Sequence, residues 1–172
     1  GLERAVRRDL ELVRHPEKSW MPTRPAPDGG HLYDVVVTGA GQGGLAVAHA
    51  LKRLRIDNLL IVDRAAYGQE GVWASYARMP TLRSPKEFTG PDLGLPSLTY
   101  QAWHEARFGE DDWQRLHRIR KERWQEYLLW YRRVLSLPVV NDTALVSIEP
   151  DGGCLRLGLD APSGLRTVFA RK

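Results

Sequence analysis

The chain has 172 residues, 42% of them hydrophobic, enough for one core and within the roughly 100–200 residues of a typical domain. Its formal charge is +4, and its one cysteine, Cys154, excludes an intrachain disulfide and gives an oxidising compartment no support. The opening segment mixes Glu3, Asp9 and Glu11 with its arginines around no apolar signal core, and no run reaches transmembrane length, so a soluble, cytoplasmic protein without membrane contact is expected.

Val6, Leu10 and Val13 fall at helical spacing and predict a short amphipathic helix stopping near Pro16. Pro22, Pro25, Pro27, Gly29 and Gly30 then make an irregular connector, so residues 1–31 read as a helical and Pro-rich arm and 32–172 as the domain proper. From Tyr33 the pattern is regular. The apolar run Val35-Val36-Val37, with the character of a strand buried on both faces, enters Gly39-Ala40-Gly41-Gln42-Gly43-Gly44. Leu45, Ala48, Leu51 and Leu54 share one helical face, and Leu59-Leu60-Ile61-Val62 leads as a second strand to Asp63.

Strand, glycine turn, helix and strand ending in an acid form the layout of a dinucleotide-binding βαβ unit. A pyrophosphate can rest on a helix N-terminus only where amides are free and no side chain intervenes. Gly39 suits the tight turn, Gly41 the close approach of phosphate, and Gly44 the packing of helix on strand. Asp63, 19 residues beyond Gly44, is placed to accept hydrogen bonds from ribose hydroxyls. Arg64 beside it is the type of residue that marks a 2′-phosphate, against which the retained acid argues.

After Asp63, Gly68, Gly71, Pro80, Pro85, Gly90, Pro91, Gly94 and Pro96 punctuate a stretch without periodicity, the mark of a functional loop. Residues 97–108 predict a short helix and 121–135 a longer one ending before Pro138. Residues 143–148, 154–159 and 165–170 read as an antiparallel meander turning at Gly152-Gly153 and Ser163-Gly164, with no return to a parallel sheet before Lys172. Open sheet edges call for more polypeptide, so the chain reads as the N-terminal part of a larger enzyme. A nicotinamide-binding half would add another helix and parallel strand promptly after Asp63. The long insertion favours a two-dinucleotide flavoprotein whose first fingerprint holds FAD.

Residues 115–133 carry seven Arg or Lys against Glu122 and Glu126, a local 7 − 2 = +5. Trp124, Tyr127, Leu128, Tyr131 and Leu135 recur at helical spacing through the same stretch, so the charge is assigned to the solvated side of an amphipathic helix and not to nucleic-acid binding. Glu110, Asp111 and Asp112 before Trp113 suit a helix start. The histidines at 15, 31, 49, 104 and 117 make no metal-binding spacing, and there is no P-loop or nucleophile elbow. No metal is expected, and no catalytic residue is assigned.

Residues 33–150 resemble the FAD domain of class B flavoprotein monooxygenases, the group of flavin-containing, Baeyer–Villiger and N-hydroxylating enzymes. The resemblance rests on the glycine turn, Asp63-Arg64, Gly71-Val72-Trp73, Met79-Pro80-Thr81-Leu82-Arg83-Ser84-Pro85-Lys86, Trp124-Gln125-Glu126-Tyr127-Leu128 and Asn141-Asp142-Thr143-Ala144-Leu145. It implies an α/β, three-layer Rossmann-like domain. Its cofactor-near residues would be Gly39, Gly41, Gln42, Gly43, Gly44, Asp63, Arg64, Gly71, Trp73, Met79, Arg83 and Leu145, the last through its main chain beside the adenine. The implied reaction is oxygenation through a flavin hydroperoxide, with NAD(P)H bound only in a longer chain and a small-molecule substrate of unassigned identity. Either a second copy or the remainder of the enzyme is the expected protein partner. Two departures stand out: Glu70 where the family has a second glycine before Gly71, and no second glycine fingerprint. Two other readings are a non-catalytic dinucleotide-binding module and an NAD(P)-binding domain with an unusual insertion.

Overall fold

A computed structural model describes residues 1–88 and 90–172. Its centre is a three-stranded parallel sheet in the order β2 (Val35–Thr38), β3 (Leu59–Val62), β4 (Val139–Val140), with Val36 opposite Leu60 and Ile61 opposite Val139. Helix α2 (Gln42–Arg53) crosses from β2 to β3. The return from β3 to β4 runs through a long loop, a 3₁₀ turn at Pro96–Leu98, α3 (Tyr100–Phe108), α4 (Glu110–Arg115) and α5 (Lys121–Val134). Among the described residues the loop from 63 to 95 contains no helix or strand beyond an isolated bridge of Thr81 to Arg120.

Within the parallel sheet β3 is buried from both sides, and its alternation shows how. Leu59 and Ile61 face the helical core with Leu45, Ala48, Tyr127 and Tyr131, while Leu60 and Val62 face Leu159 and Val168. The second face belongs to the meander of β5 (Ala144–Asp151), β6 (Cys154–Ala161) and β7 (Gly164–Ala170), so the three layers are helices, parallel sheet and antiparallel sheet. Tyr100 is the hub of an aromatic core under α3 to α5, its ring 5.4 Å from both Trp103 and Trp124.

Several expectations are corrected. β2 is only half-buried, because β3 pairs with it on one side while the other edge carries just the hydrogen bond from Val36 N–H to Lys172 carbonyl. Lys172 thus touches the parallel sheet through one hydrogen bond but adds no strand to it. β7 pairs parallel with a two-residue strand, β1 (Leu32–Tyr33), and Arg171 N–H donates to Tyr33 carbonyl. A third parallel strand, β4, follows α5, too short for periodicity to reveal it. The first helix, α1 (Leu2–Leu12), ends before Val13, which is exposed. Leu54 lies just beyond α2 and is also exposed, so the buried face of α2 is Leu45, Ala48 and His49. No helix among the described residues is long and apolar enough to cross a membrane.

Candidate functional site: two clefts at the start of α2

The turn from β2 into α2 is shaped by its glycines. Gly39 has φ +95°, which an L side chain rarely adopts. A Cβ on Gly44 would lie 1.8 Å from the Gly39 carbonyl oxygen, so only glycine lets the helix start so close to the strand end. A Cβ on Gly41 would stand 3.0 Å from the Cα of Gly71, so the fingerprint turn and the start of the Gly71-Val72-Trp73 turn touch through bare backbone. Gly43 faces open space. No side chain caps α2, and its last turn carries Lys52 and Arg53 against the carbonyl end of the dipole.

Asp63 pins this turn. Its Oδ2 accepts from Ala40 N–H at 2.6 Å and its Oδ1 from Ala65 N–H at 2.8 Å. Each carboxylate oxygen has a further acceptor position, so a hydroxyl donor can still be held there. The sequence assigned Asp63 a ribose; the structure adds a second task, tying the ends of β2 and β3 together.

Two clefts open on either side of the turn. The first, about 530 Å³, brings together Gly39, Asp63, Arg64, Gly71 and Leu145 with Thr38 and Tyr76. Arg64 lies at its exposed mouth and donates to Tyr76 Oη at 2.9 Å. The second, about 340 Å³, joins Gln42, Trp73, Met79 and Arg83 with Leu82 and Trp124. Gly41, Gly43 and Gly44 line neither. Trp73 is half-buried, at once packed on the main core and lining the second cleft, so the core-anchor and cleft-wall roles are both filled. Indole Nε1 of Trp124 can only donate, so its 3.1 Å contact with Gln42 fixes the amide oxygen toward the indole. The Gln42 N–H groups are thereby left for the second cleft.

The loop between the clefts is held in part by basic side chains that sequence reasoning left in solvent. Glu70, the departure from the glycine pair, is buried and bonded to Arg132 at 2.6 Å, Asn141 at 2.7 Å and Gly68 N–H at 2.8 Å. Arg118 donates to the carbonyls of Leu82 and Arg83, and Lys121 to that of Ala77. The basic stripe is thus partly a set of struts. Asp92, also buried, accepts from Gly90 and Gly94 N–H, and Tyr131 Oη donates to Pro91 carbonyl while receiving His49 Nδ1 at 2.6 Å. Burial and the charge of Arg53 lower the His49 pKa to about 4, so its ring is neutral, and burial pushes the Tyr131 hydroxyl well above its ordinary range. The acids of α4 lie in its first turn as expected, and Asp112 also receives His104 Nε2 at 2.9 Å.

A βαβ turn with an uncapped helix start, an acid at the second strand end and a cleft on each side defines a dinucleotide-binding domain. No family model matches the chain. It is 47% identical over 172 residues to the FAD-dependent urate hydroxylase of Xanthomonas campestris pv. campestris, covering 98% of this chain and 36% of that protein. Among solved structures, the flavin-containing monooxygenase from Stenotrophomonas maltophilia matches 80% of the chain at 25% identity and TM-score 0.60, over 36% of its own length. The Kutzneria sp. 744 ornithine N-hydroxylase matches 82% at 19% identity and TM-score 0.65, also over 36% of its length. The chain therefore spans about a third of these relatives, and its resemblance is to the FAD-binding domain of flavin-dependent monooxygenases, as its motifs imply.

Proposed function

We propose that this chain is the FAD-binding portion of an FAD- and NAD(P)H-dependent monooxygenase. The observation that carries the reading is the pair of clefts flanking the uncapped start of α2, one holding a buried acid and the other an indole and an oriented amide. The donor set suits the cofactor. Amides of the first helical turn would receive the pyrophosphate, Asp63 a ribose hydroxyl, and the main chain at Leu145 the adenine. Trp73, Met79, Arg83 and the Gln42 amide would border the flavin ring. When bound, the flavin supplies the redox chemistry, and this chain's residues bind, orient and shield it. The nicotinamide site belongs to the remaining length of the enzyme.

The relative's name makes urate the first substrate to test, with NAD(P)H consumption and urate loss followed in the full-length protein. The binding claim is tested more directly. The purified protein should carry a yellow flavin, and Gly41→Val, which thrusts a branched side chain against Gly71, should lose it. A colourless protein whose melting temperature rises with NAD and not with FAD would overturn the reading in favour of a nicotinamide-binding domain.

A further inference from the structure

A third cavity, of about 320 Å³, lies at the opposite end of α2 from the glycine turn, between α1, the last turn of α2 and the segment after α5. This is within the range of small-molecule sites, roughly 300–1,000 Å³. Leu10, Val13, Leu135 and Leu137 give it an apolar wall, and Arg7, Arg14, Lys52, Arg53 and Arg55 surround it with positive charge. Arg55 approaches Asp57 at 3.9 Å, and Glu11, the acid in the lining, is directed to Arg8 at 3.5 Å. Arg7, Arg14, Lys52 and Arg53 form no ion pair among the described residues; the last three reach only the carbonyls of Glu17, Ser136 and Leu93. Carbonyl contacts leave the charge uncompensated, and like charges gathered on one rim repel.

The buried wall adds a second, independent observation. His49 lines this cavity and is 2% exposed. Its Nδ1 meets the Tyr131 hydroxyl, whose own proton goes to the Pro91 carbonyl, so Nδ1 must be the nitrogen that carries hydrogen. The opposite nitrogen, Nε2, is then a lone-pair acceptor, buried and without a partner among the described residues. A buried acceptor left unmet is costly, and one in the side chain of a cavity-wall residue gains by turning toward a donor bound there.

We propose that this cavity is a binding site for a small organic anion with an apolar body and a hydroxyl or N–H donor, of the hydroxycarboxylate class. The carboxylate sits among Arg7, Lys52 and Arg53, the body against Leu10 and Leu137, and the donor meets His49 Nε2 once a small turn of the ring brings that atom into the cavity. The site is separate from both cofactor clefts and is joined to them through the length of α2 and through the contacts of His49 with Tyr131 and of Tyr131 with Pro91.

Calorimetric titration of the full-length protein, with FAD in excess to fill the cofactor clefts, tests this with 4-hydroxybenzoate, benzoate and 4-hydroxybenzyl alcohol. The hydroxyacid should bind about tenfold more tightly than benzoate, the scale of one hydrogen bond, and the uncharged alcohol should bind more weakly than the hydroxyacid. Arg7→Gln combined with Lys52→Gln, both at the cavity rim, should weaken the hydroxyacid by about tenfold or more. In His49→Phe the preference over benzoate should fall to near one. Undiminished binding in the rim variant, an unchanged preference in His49→Phe, or no heat from any probe up to millimolar concentration would each overturn the proposal.

Discussion

The two clefts beside the glycine turn are built in different ways. The first is made largely at the ends of regular elements, by Gly39, the strand ends at Val62 and Asp63 and the start of β5, and is closed by Gly71 and Tyr76 of the loop. The second is made by side chains of an irregular segment, held from a distance by Lys121, Gln125, Tyr131 and Arg132 of a single helix. A cleft of the first kind depends on conformations only glycine tolerates, and one of the second kind on buried polar pairs whose loss leaves a charge or acceptor stranded. The first should therefore be sensitive to added atoms and the second to removed partners.

The largest effect is expected on the loop between the clefts. Glu70→Ala leaves the guanidinium of Arg132, 14% exposed, without its carboxylate, and should cost about 3–5 kcal/mol in urea unfolding. A loss below 1 kcal/mol would show that the loop stands without this clasp and would erase the contrast.

Next comes a pH dependence centred on His49, which meets the same loop through Tyr131 and Pro91. An unfolded imidazole takes its proton near 6.5, whereas the folded one resists until about 4. Between those values the unfolded state binds more protons, so stability falls as pH falls through the window, by up to about 3 kcal/mol, and levels off below it. His49→Phe should flatten that part of the profile; an unaltered slope would show that other groups set it.

Asp63→Ala probes the first cleft by removal, freeing the amides of Ala40 and Ala65, and should weaken FAD retention by about 1–3 kcal/mol in equilibrium dialysis. Equal retention would mean that backbone alone forms that cleft. The smallest change is expected from Trp124→Phe. It deletes the hydrogen bond that orients Gln42, and should cost about 1 kcal/mol in stability while shifting the bound flavin's absorbance. An unshifted spectrum would separate the Gln42 amide from the ring.

The same difference explains what the sequence reveals. The βαβ unit was legible because glycine spacing and apolar alternation are local, and all three meander strands follow from short-range patterning. Gly39, Asp63 and Gly71 could be gathered from motif order alone. The roles of Glu70, Asp92 and His49 could not, since their partners lie on distant parts of the chain or, like Gly90 and Gly94, in backbone that carries no signature. The one available signal was the acid at position 70 where the family has glycine. β4 escaped because two residues show no period, and the half-buried state of β2 because burial of a strand depends on neighbours that composition does not name.

Helix α5 grips the loop and the 3₁₀ turn at successive turns: Lys121 at Ala77, Gln125 at Gly68, Tyr127 at Leu98, Tyr131 at Pro91 and Arg132 at Glu70. Fastened at so many stations to one rigid rod, the segment cannot peel away a few residues at a time. Its amides should exchange with solvent together, in a single cooperative opening, and any wider clearance of the second cleft must wait for that event.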